Sequence, residues 1–153
     1  MARLEFVGLR VMESGDQPVL LLRETDNTRL LPVWVDAVAA ATLLGVSDGD
    51  EGGSARSFQL FAEMVRALHP HSLSAEIFGW EEGAFSARLF VDGKEIPGRL
   101  SDIVALSSVL DFPLTCSDTL LTELGIEAFD QDPDVVEEFK SFLDEVDPGD
   151  FEK

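Results

Sequence analysis

One short stretch of the chain combines three side chains that can act on an anion. Arg99, Ser101 and Asp102 bring a guanidinium, a hydroxyl and a carboxylate to the junction of a predicted strand and a predicted helix. The free amides of a helix N-terminus favour anions, and an arginine can clamp a phosphate with two hydrogen bonds. The stretch therefore predicts an anion or phosphate site. Spacing alone favours a simpler interpretation, in which Ser101 caps the helix and Arg99 pairs with Asp102.

The remaining reactive groups give weaker signals. The two histidines, His69 and His71, flank a proline and favour a role at a helix end over metal binding. Cys116 follows apolar neighbours, so we expect a small core residue rather than a nucleophile. The acidic loop 48–53 resembles the start of a calcium loop, but Gln59 stands where the bidentate carboxylate is required.

Composition narrows the function classes. The chain has 153 residues, 45% hydrophobic and 27% charged, which suits one domain with a sizeable core. Its net charge of −19 opposes nucleic-acid binding, because that affinity comes largely from lysine and arginine. A nucleic-acid role would therefore need a local basic patch or bridging metal ions. No signal peptide or membrane span is visible, so the sequence predicts a cytoplasmic protein without membrane contact.

The hydrophobic pattern predicts the elements that hold the candidate site. Strands are expected at 4–11, 19–22 and 30–35, with Pro32 indicating an edge or a bulge. Asp36 would cap a helix that ends at Gly45. A second helix would begin at Ser57, end before Pro70, and bury a stripe made of Phe58, Phe61, Val65 and Leu68.

The second half of the chain is also predicted to contain strands followed by helices. Strands at 73–77, 85–91 and 94–99 are joined by turns, and Asp92-Gly93 is a strong hairpin signal. Further helices would follow the caps Ser101 and Ser117. This order predicts an α+β fold, in which a mixed or mostly antiparallel sheet carries helices on one face.

The C-terminal region differs from the body. Residues 126–153 hold 11 of the 30 acidic residues and 2 of the 11 basic ones. Segment 133–146 predicts an amphipathic helix with one apolar stripe: Val135, Val136, Phe139, Phe142, Leu143 and Val146. We therefore divide the chain into a domain at 1–126 and an acidic helical extension at 127–153. The stripe must pack either on the body or on a protein partner.

Three motifs in register resemble the bifunctional nuclease family. Leu31–Val35 is similar to its Leu-Pro-Ile-Trp-Ile, 82–87 to its Asp-Gly-Thr-Phe-Tyr-Ala, and 99–106 to its Arg-Pro-Ser-Asp-Ala-Ile-Ala-Leu. The resemblance covers roughly residues 3–126 and implies an α+β domain that dimerises and cuts DNA and RNA. It places family-motif residues at Pro32, Trp34, Gly83 and Phe85.

The resemblance also implies the site. Arg99, Ser101 and Asp102 would be catalytic, with Arg99 and Ser101 binding the anion and Asp36 and Asp102 holding Mg²⁺ or Mn²⁺. Two departures affect this assignment. Phe58 and Gln59 replace a His-Asp pair of the family, and Leu100 replaces a proline.

Three functional hypotheses follow. The first is a metal-dependent nuclease, and the second is a non-catalytic interaction or regulatory module that uses the extension. The third is a protein that binds small phosphates or other anions at Arg99 and Ser101.

Overall fold

The computed structural model describes residues 1–10, 17–47 and 55–127. The strands are β1 (Ala2–Arg10), β2 (Val19–Glu24), β3 (Arg29–Trp34), β4 (Leu73–Glu81), β5 (Ala84–Val91), β6 (Lys94–Gly98), β7 (Leu114–Cys116) and β8 (Ile126–Glu127). The helices are α1 (Ala37–Ser47), α2 (Ala55–Leu68), α3 (Leu100–Leu110) and α4 (Asp118–Leu124). Within these ranges the strands form one sheet in the order β6-β5-β4-β7-β1-β2-β3-β8. Only the β4–β7 pairing is parallel, so the predicted α+β class with a mixed sheet is confirmed.

The two faces of the sheet differ. Side chains alternate along a strand, so Leu20 and Leu22 point to the face that we call inner, while Val19 and Leu21 point to the outer face. Leu20 and Leu22 belong to one hydrophobic core together with buried residues of α1 and α3, such as Leu43 and Val104. The helices therefore cover the inner face, as the sequence predicted.

Local turn signals are confirmed. Asp92 and Gly93 both have positive φ, at 49° and 81°, as do Glu82 and Gly83 at 51° and 83°. Two successive residues with positive φ match the twist of adjacent antiparallel strands, so both pairs make tight hairpins. Pro32 lies opposite Leu21 on β2, and β8 pairs only with Arg29 and Leu30. Among the described residues, β3 therefore has a free edge at Pro32, where a missing N–H costs little.

Three predicted helix starts or ends were wrong. Helix α1 continues through Gly45 to Ser47, and α2 begins at Ala55, before Ser57. Helix α3 begins at Leu100, so Ser101 lies inside its first turn and Arg99 occupies the cap position. The physical reason is that a glycine or a serine is tolerated inside a helix when the helix packs against other elements.

Two predicted caps are confirmed. The Oδ1 of Asp36 accepts a hydrogen bond from the Ala39 amide at 2.7 Å. The hydroxyl of Ser117 accepts one from the Leu120 amide at 3.2 Å. Each satisfies an amide that the helix itself leaves without a partner.

The predicted buried stripe of α2 is only partly confirmed, because Phe58 and Val65 are half-buried and Phe58 packs against the core. The buried residues of this helix are Ala55 and Ala62, whereas Phe61 is 48% and Leu68 is 77% exposed. Helix α2 packs on α1 and α3 rather than on the sheet. The fully buried positions of this contact are therefore small residues, and four large apolar residues of α2 remain on the surface: Leu60, Phe61, Met64 and Leu68.

Two predictions concern residues outside the described ranges. The acidic part of the calcium-like loop, 48–53, lies there, and so does the amphipathic segment 133–146. Among the helices that the structure describes, none is long and apolar enough to cross a membrane.

Candidate functional site

The predicted site lies at the start of α3 and is built around one ion pair. The Nε of Arg99 donates to Oδ2 of Asp102 at 2.8 Å, and its Nη2 donates to Oδ1 at 3.1 Å. The Arg99 side chain is 70% exposed, and that of Asp102 is 40% exposed. The hydrogen bonds to Asp102 raise the pKa of Arg99 above its usual value, and the Asp102 charge adds to this. The guanidinium is therefore oriented by one carboxylate while most of it remains open to solvent.

The start of α3 has no side-chain cap. Arg99 occupies the cap position in an extended conformation, and its carbonyl accepts the first helical hydrogen bond, from the Ile103 amide at 3.1 Å. The first amides of an α-helix have no carbonyl partner within the helix, so they can donate hydrogen bonds to an anion. Ser101 is half-buried and lies inside this turn, so it is not the cap residue.

A second helix begins near the site. The Asp36 carboxylate, which caps α1, also raises the pKa of Arg99 through its charge. Helices α1 and α3 also pack against each other. The charge of the α1 cap therefore acts on the guanidinium at the start of α3.

An apolar groove adjoins the ion pair. It encloses about 350 Å³ and is lined by Phe58, Phe61, Arg99, Asp102, Ile103 and Leu106. The rings of Phe58 and Phe61 meet edge to face, with centroids 5.8 Å apart. The site therefore joins a charged corner to an aromatic wall supplied by α2. Phe58, which stands at one position of the missing His-Asp pair, contributes to this wall.

The carboxylates at the site already have partners. Both oxygens of Asp102 accept from Arg99, and one oxygen of Asp36 accepts from Ala39. In residues 1–10, 17–47 and 55–127 no group of three or more histidine, cysteine, aspartate or glutamate side chains is placed to hold a metal. The described residues do not form a metal centre, and binding of Mg²⁺ or Mn²⁺ by Asp36 and Asp102 stays a prediction.

The four family-motif residues lie away from the groove. Pro32 and Trp34 are on the outer side of β3, where they oppose Leu21 and Val19. Gly83 forms the turn between β4 and β5, and Phe85 packs against the core. Their positions indicate roles in the fold of the sheet and its turns.

The other reactive side chains lie outside the site. Cys116 is fully buried, and burial raises the pKa of its thiol to about 11, which confirms it as a core residue. His69 and His71 are both exposed just after α2. Neither histidine lines the groove beside Arg99.

A larger cleft was missed by the sequence reasoning. It has a volume of about 750 Å³ and lies near the C-terminal end of α3, between that helix and β1. Its polar residues include Arg3, Asp26, Ser107 and Asp111. They come from three separate parts of the chain, so no local motif could have indicated them.

Comparison with known proteins decides the family. The profile described as "Bifunctional nuclease domain" matches residues 20–129. This chain belongs to that family. It is also 32% identical over 161 residues to "Uncharacterized protein Rv1829" and "Uncharacterized protein MT1877", from two strains of Mycobacterium tuberculosis. Each alignment covers 99% of this chain and 98% of the relative. The bifunctional nuclease resemblance is thus confirmed, and the relatives' names assign no activity.

Proposed function

We propose that this bifunctional nuclease family member binds a phosphodiester of DNA or RNA at the start of α3 and hydrolyses it. The observation that carries the proposal is the exposed guanidinium of Arg99, which a single carboxylate orients beside an uncapped helix start. Arginine forks and helix amides both favour phosphate oxygens. The family's description as a nuclease domain supports nucleic acid as the source of that phosphate.

Each residue of the site has a proposed role. In hydrolysis water attacks phosphorus, one P–O ester bond breaks, and the leaving sugar oxygen takes up a proton from the water. Arg99 stabilises the negative charge that grows on the phosphoryl oxygens during this step. Asp102 positions the guanidinium, and the Ser101 hydroxyl adds a hydrogen bond to the anion. Phe58 and Phe61 offer an aromatic surface to a neighbouring base, since every base can stack on a ring. This wall favours a nucleotide chain over a bare phosphate.

The acidic surface limits how the substrate is held. A net charge of −19 repels the rest of a nucleic acid, so we expect only one or two phosphate contacts. The affinity for a single strand should then fall with salt on a logarithmic slope of roughly −1, following the dependence of about −0.7 per contact. Short single strands should be preferred, because they bring few other phosphates close to the acidic surface.

A cleavage assay with a matched control tests the proposal. The full chain is incubated with single- and double-stranded DNA and RNA, with Mg²⁺, with Mn²⁺ and with a chelator. Arg99→Ala should reduce cleavage on the order of 100-fold, as loss of one charge-stabilising donor does elsewhere. The control is Arg23→Ala, because Arg23 forms an exposed pair with Glu5 on the sheet, away from the groove. Arg66 is less suitable, because it also donates to the Val109 carbonyl of α3. Cleavage that survives in Arg99→Ala at the wild-type rate would remove this site from the reaction.

A binding assay separates the hypotheses if cleavage is absent. Fluorescence anisotropy with a short labelled oligonucleotide, competed by inorganic phosphate, measures binding without turnover. Binding that depends on Arg99 and yields to phosphate would favour the anion-binding hypothesis. No binding by either ligand would leave the non-catalytic interaction module as the better description.

We also propose that the chain forms a homodimer through the exposed side of α2. Three large apolar side chains outside the groove are exposed on this helix: Leu60 at 60%, Met64 at 54% and Leu68 at 77%. Exposed apolar patches of this kind mark protein contacts. Phe61 lies next to them and lines the groove beside Arg99, so a second copy on this side would border the site and leave Phe61 to the substrate.

The oligomeric state tests the dimer. Leu60→Asp with Met64→Asp should shift the molar mass from dimer to monomer in light scattering after size exclusion. Gln59→Asp is the control, since it adds one negative charge, half of that in the double variant, at a neighbouring exposed position of α2. A monomeric wild type at concentrations well above the micromolar range would contradict the dimer.

A further inference from the structure

The outer face of the sheet carries an apolar patch that is separate from the core. Three cross-strand pairs share this face: Val19 with Trp34, Leu21 with Pro32, and Leu30 with Ile126. Val19 and Leu21 are only 0% and 5% exposed, yet they are not part of the inner core. We call these six residues the outer patch.

The described helices lie elsewhere. Buried residues of α1, α3 and α4, such as Leu43, Val104 and Leu121, all join the inner core. Helix α2 packs on α1 and α3 and so lies on the same side. Among the helices that the structure describes, none therefore packs on the outer patch.

The last described residues of the chain lie at this patch. Ile126 lies opposite Leu30 and Glu127 opposite Arg29, and the next 26 residues follow directly. The five residues 128–132 can span up to ~17 Å. As a helix, 133–146 would be ~21 Å long. The four strands β1, β2, β3 and β8 measure ~14 Å across, so a helix of this length can cover the patch.

The charges of the two partners are complementary. Arg10 lies opposite Val19, and Arg23, which is paired with Glu5 on β1, lies opposite Leu30. Two arginines and one carboxylate therefore border the patch on the outer face. Segment 133–146 has five acidic residues and one lysine. A helix that buries its apolar stripe on the patch brings its acidic flanks towards these arginines.

We propose that segment 133–146 packs as an amphipathic helix on the outer patch of its own chain and covers Trp34 and Pro32. The short connection from Glu127 gives the segment a high effective concentration at this patch, which favours its own chain over a second copy. The family profile ends at residue 129, whereas the alignments with the mycobacterial relatives cover 99% of the chain. The packed segment is thus an addition to the family domain, and it covers the outer patch of the sheet. This inference does not depend on nuclease activity.

Tryptophan fluorescence of the full chain tests the packing. The protein has two tryptophans, so Trp80→Phe leaves Trp34 in the patch as the only emitter. In this background, Phe139→Asp with Phe142→Asp should increase acrylamide quenching of Trp34 and shift its emission to the red. Ser141→Asp introduces one negative charge, half of that added by the double variant, on the opposite side of the segment and should change neither.

Three results would overturn the proposal. Quenching of Trp34 that is unchanged by Phe139→Asp with Phe142→Asp would show that the segment does not cover it. An equal change with Ser141→Asp would show an effect of charge rather than of packing. Protection of Trp34 that appears only as protein concentration rises would assign the segment to the patch of a second copy or another partner.

Amide hydrogen exchange gives a reciprocal measurement. Leu30→Ala trims the half-buried edge of the outer patch and should accelerate exchange within 133–146. Leu44→Ala removes the same three carbons from an α1 side chain that is 48% exposed, so it should leave that exchange unchanged. Exchange within 133–146 that is equally fast in the wild type and in both variants would contradict the packed helix.

Discussion

Two arginines on different parts of the molecule show how the same side chain can serve structure or ligand binding. Arg88, on the outer face of β5, donates to Glu95 at 2.9 Å and to Glu76 at 3.3 Å. Its guanidinium carbon lies 4.4 Å from the ring centre of Phe78 and 5.3 Å from that of Phe90. Arg99, at the start of α3, pairs with a single carboxylate among the residues that the structure describes.

The difference lies in exposure and in the number of partners. The Arg88 side chain is 27% exposed and is held by two carboxylates and two rings, whereas that of Arg99 is 70% exposed. Hydrogen bonds to Glu95 and the charges of both carboxylates raise the pKa of Arg88. A phosphate approaching Arg88 would meet two negative charges first. Arg88 therefore stabilises the sheet, while Arg99 is available to an anion.

The largest expected effect on stability comes from Arg88→Met. This change leaves Glu76 and Glu95 facing each other across β5 without a cation and removes the partner of both rings, so the melting temperature should fall by several degrees. Circular dichroism melting of Arg88→Met beside Arg99→Met measures the contrast. Equal melting temperatures in the two variants would contradict a structural role for Arg88.

A third arginine extends the comparison through pH. Arg29 donates to Glu24 at 2.8 and 3.0 Å, and the two side chains are only 19% and 9% exposed. The hydrogen bond from Arg29 lowers the pKa of Glu24, against the opposing effect of burial.

A lowered pKa in the folded state sets the sign of the pH dependence. The contribution of Glu24 to stability is fully present above its unfolded pKa of about 4.3, and it is lost as the pH falls through the lower folded value. Glu24→Gln should therefore cost about 1–2 kcal/mol at pH 7 and less at pH 3. Urea unfolding at both pH values tests this, and a loss independent of pH would refute the assignment.

The smallest expected effect on stability comes from Arg99→Met. An exposed pair of this spacing contributes about 0.3–0.5 kcal/mol, so the free energy of unfolding should hardly change. Binding of a short oligonucleotide should nevertheless be lost. Urea unfolding and anisotropy on the same samples test both statements, and a large loss of stability would place Arg99 among the structural arginines.

The parts of the fold that could be predicted depend on neighbouring residues. The Asp92-Gly93 turn, the caps Asp36 and Ser117, and the buried strand at 19–22 are each encoded by a few consecutive positions. Local hydrogen bonds and backbone preferences act at this range, so the pattern was sufficient.

The errors concern positions where distant contacts decide. The stripe on α2 has the spacing of a buried face, but α1 and α3 accept Ala55 and Ala62 instead. Ser101 is a good cap by residue type, yet α3 begins one residue before it. The spacing allowed two interpretations, an anion site and an Arg99–Asp102 ion pair. Which side of this ion pair is open to solvent is known only when α2 has been placed beside it.

By itself, the sequence determined the acidic charge, the alternation of the strands, the local turns and the three family motifs, because all of these are properties of residues close in the chain. The tertiary structure alone decided the parallel pairing of β4 with β7 and the division of the sheet into a covered face and an outer patch. It also decided which arginine has room for a phosphate. Whether an arginine can bind a phosphate depends on how many carboxylates and rings from distant strands surround its guanidinium. Only the folded chain brings those groups together.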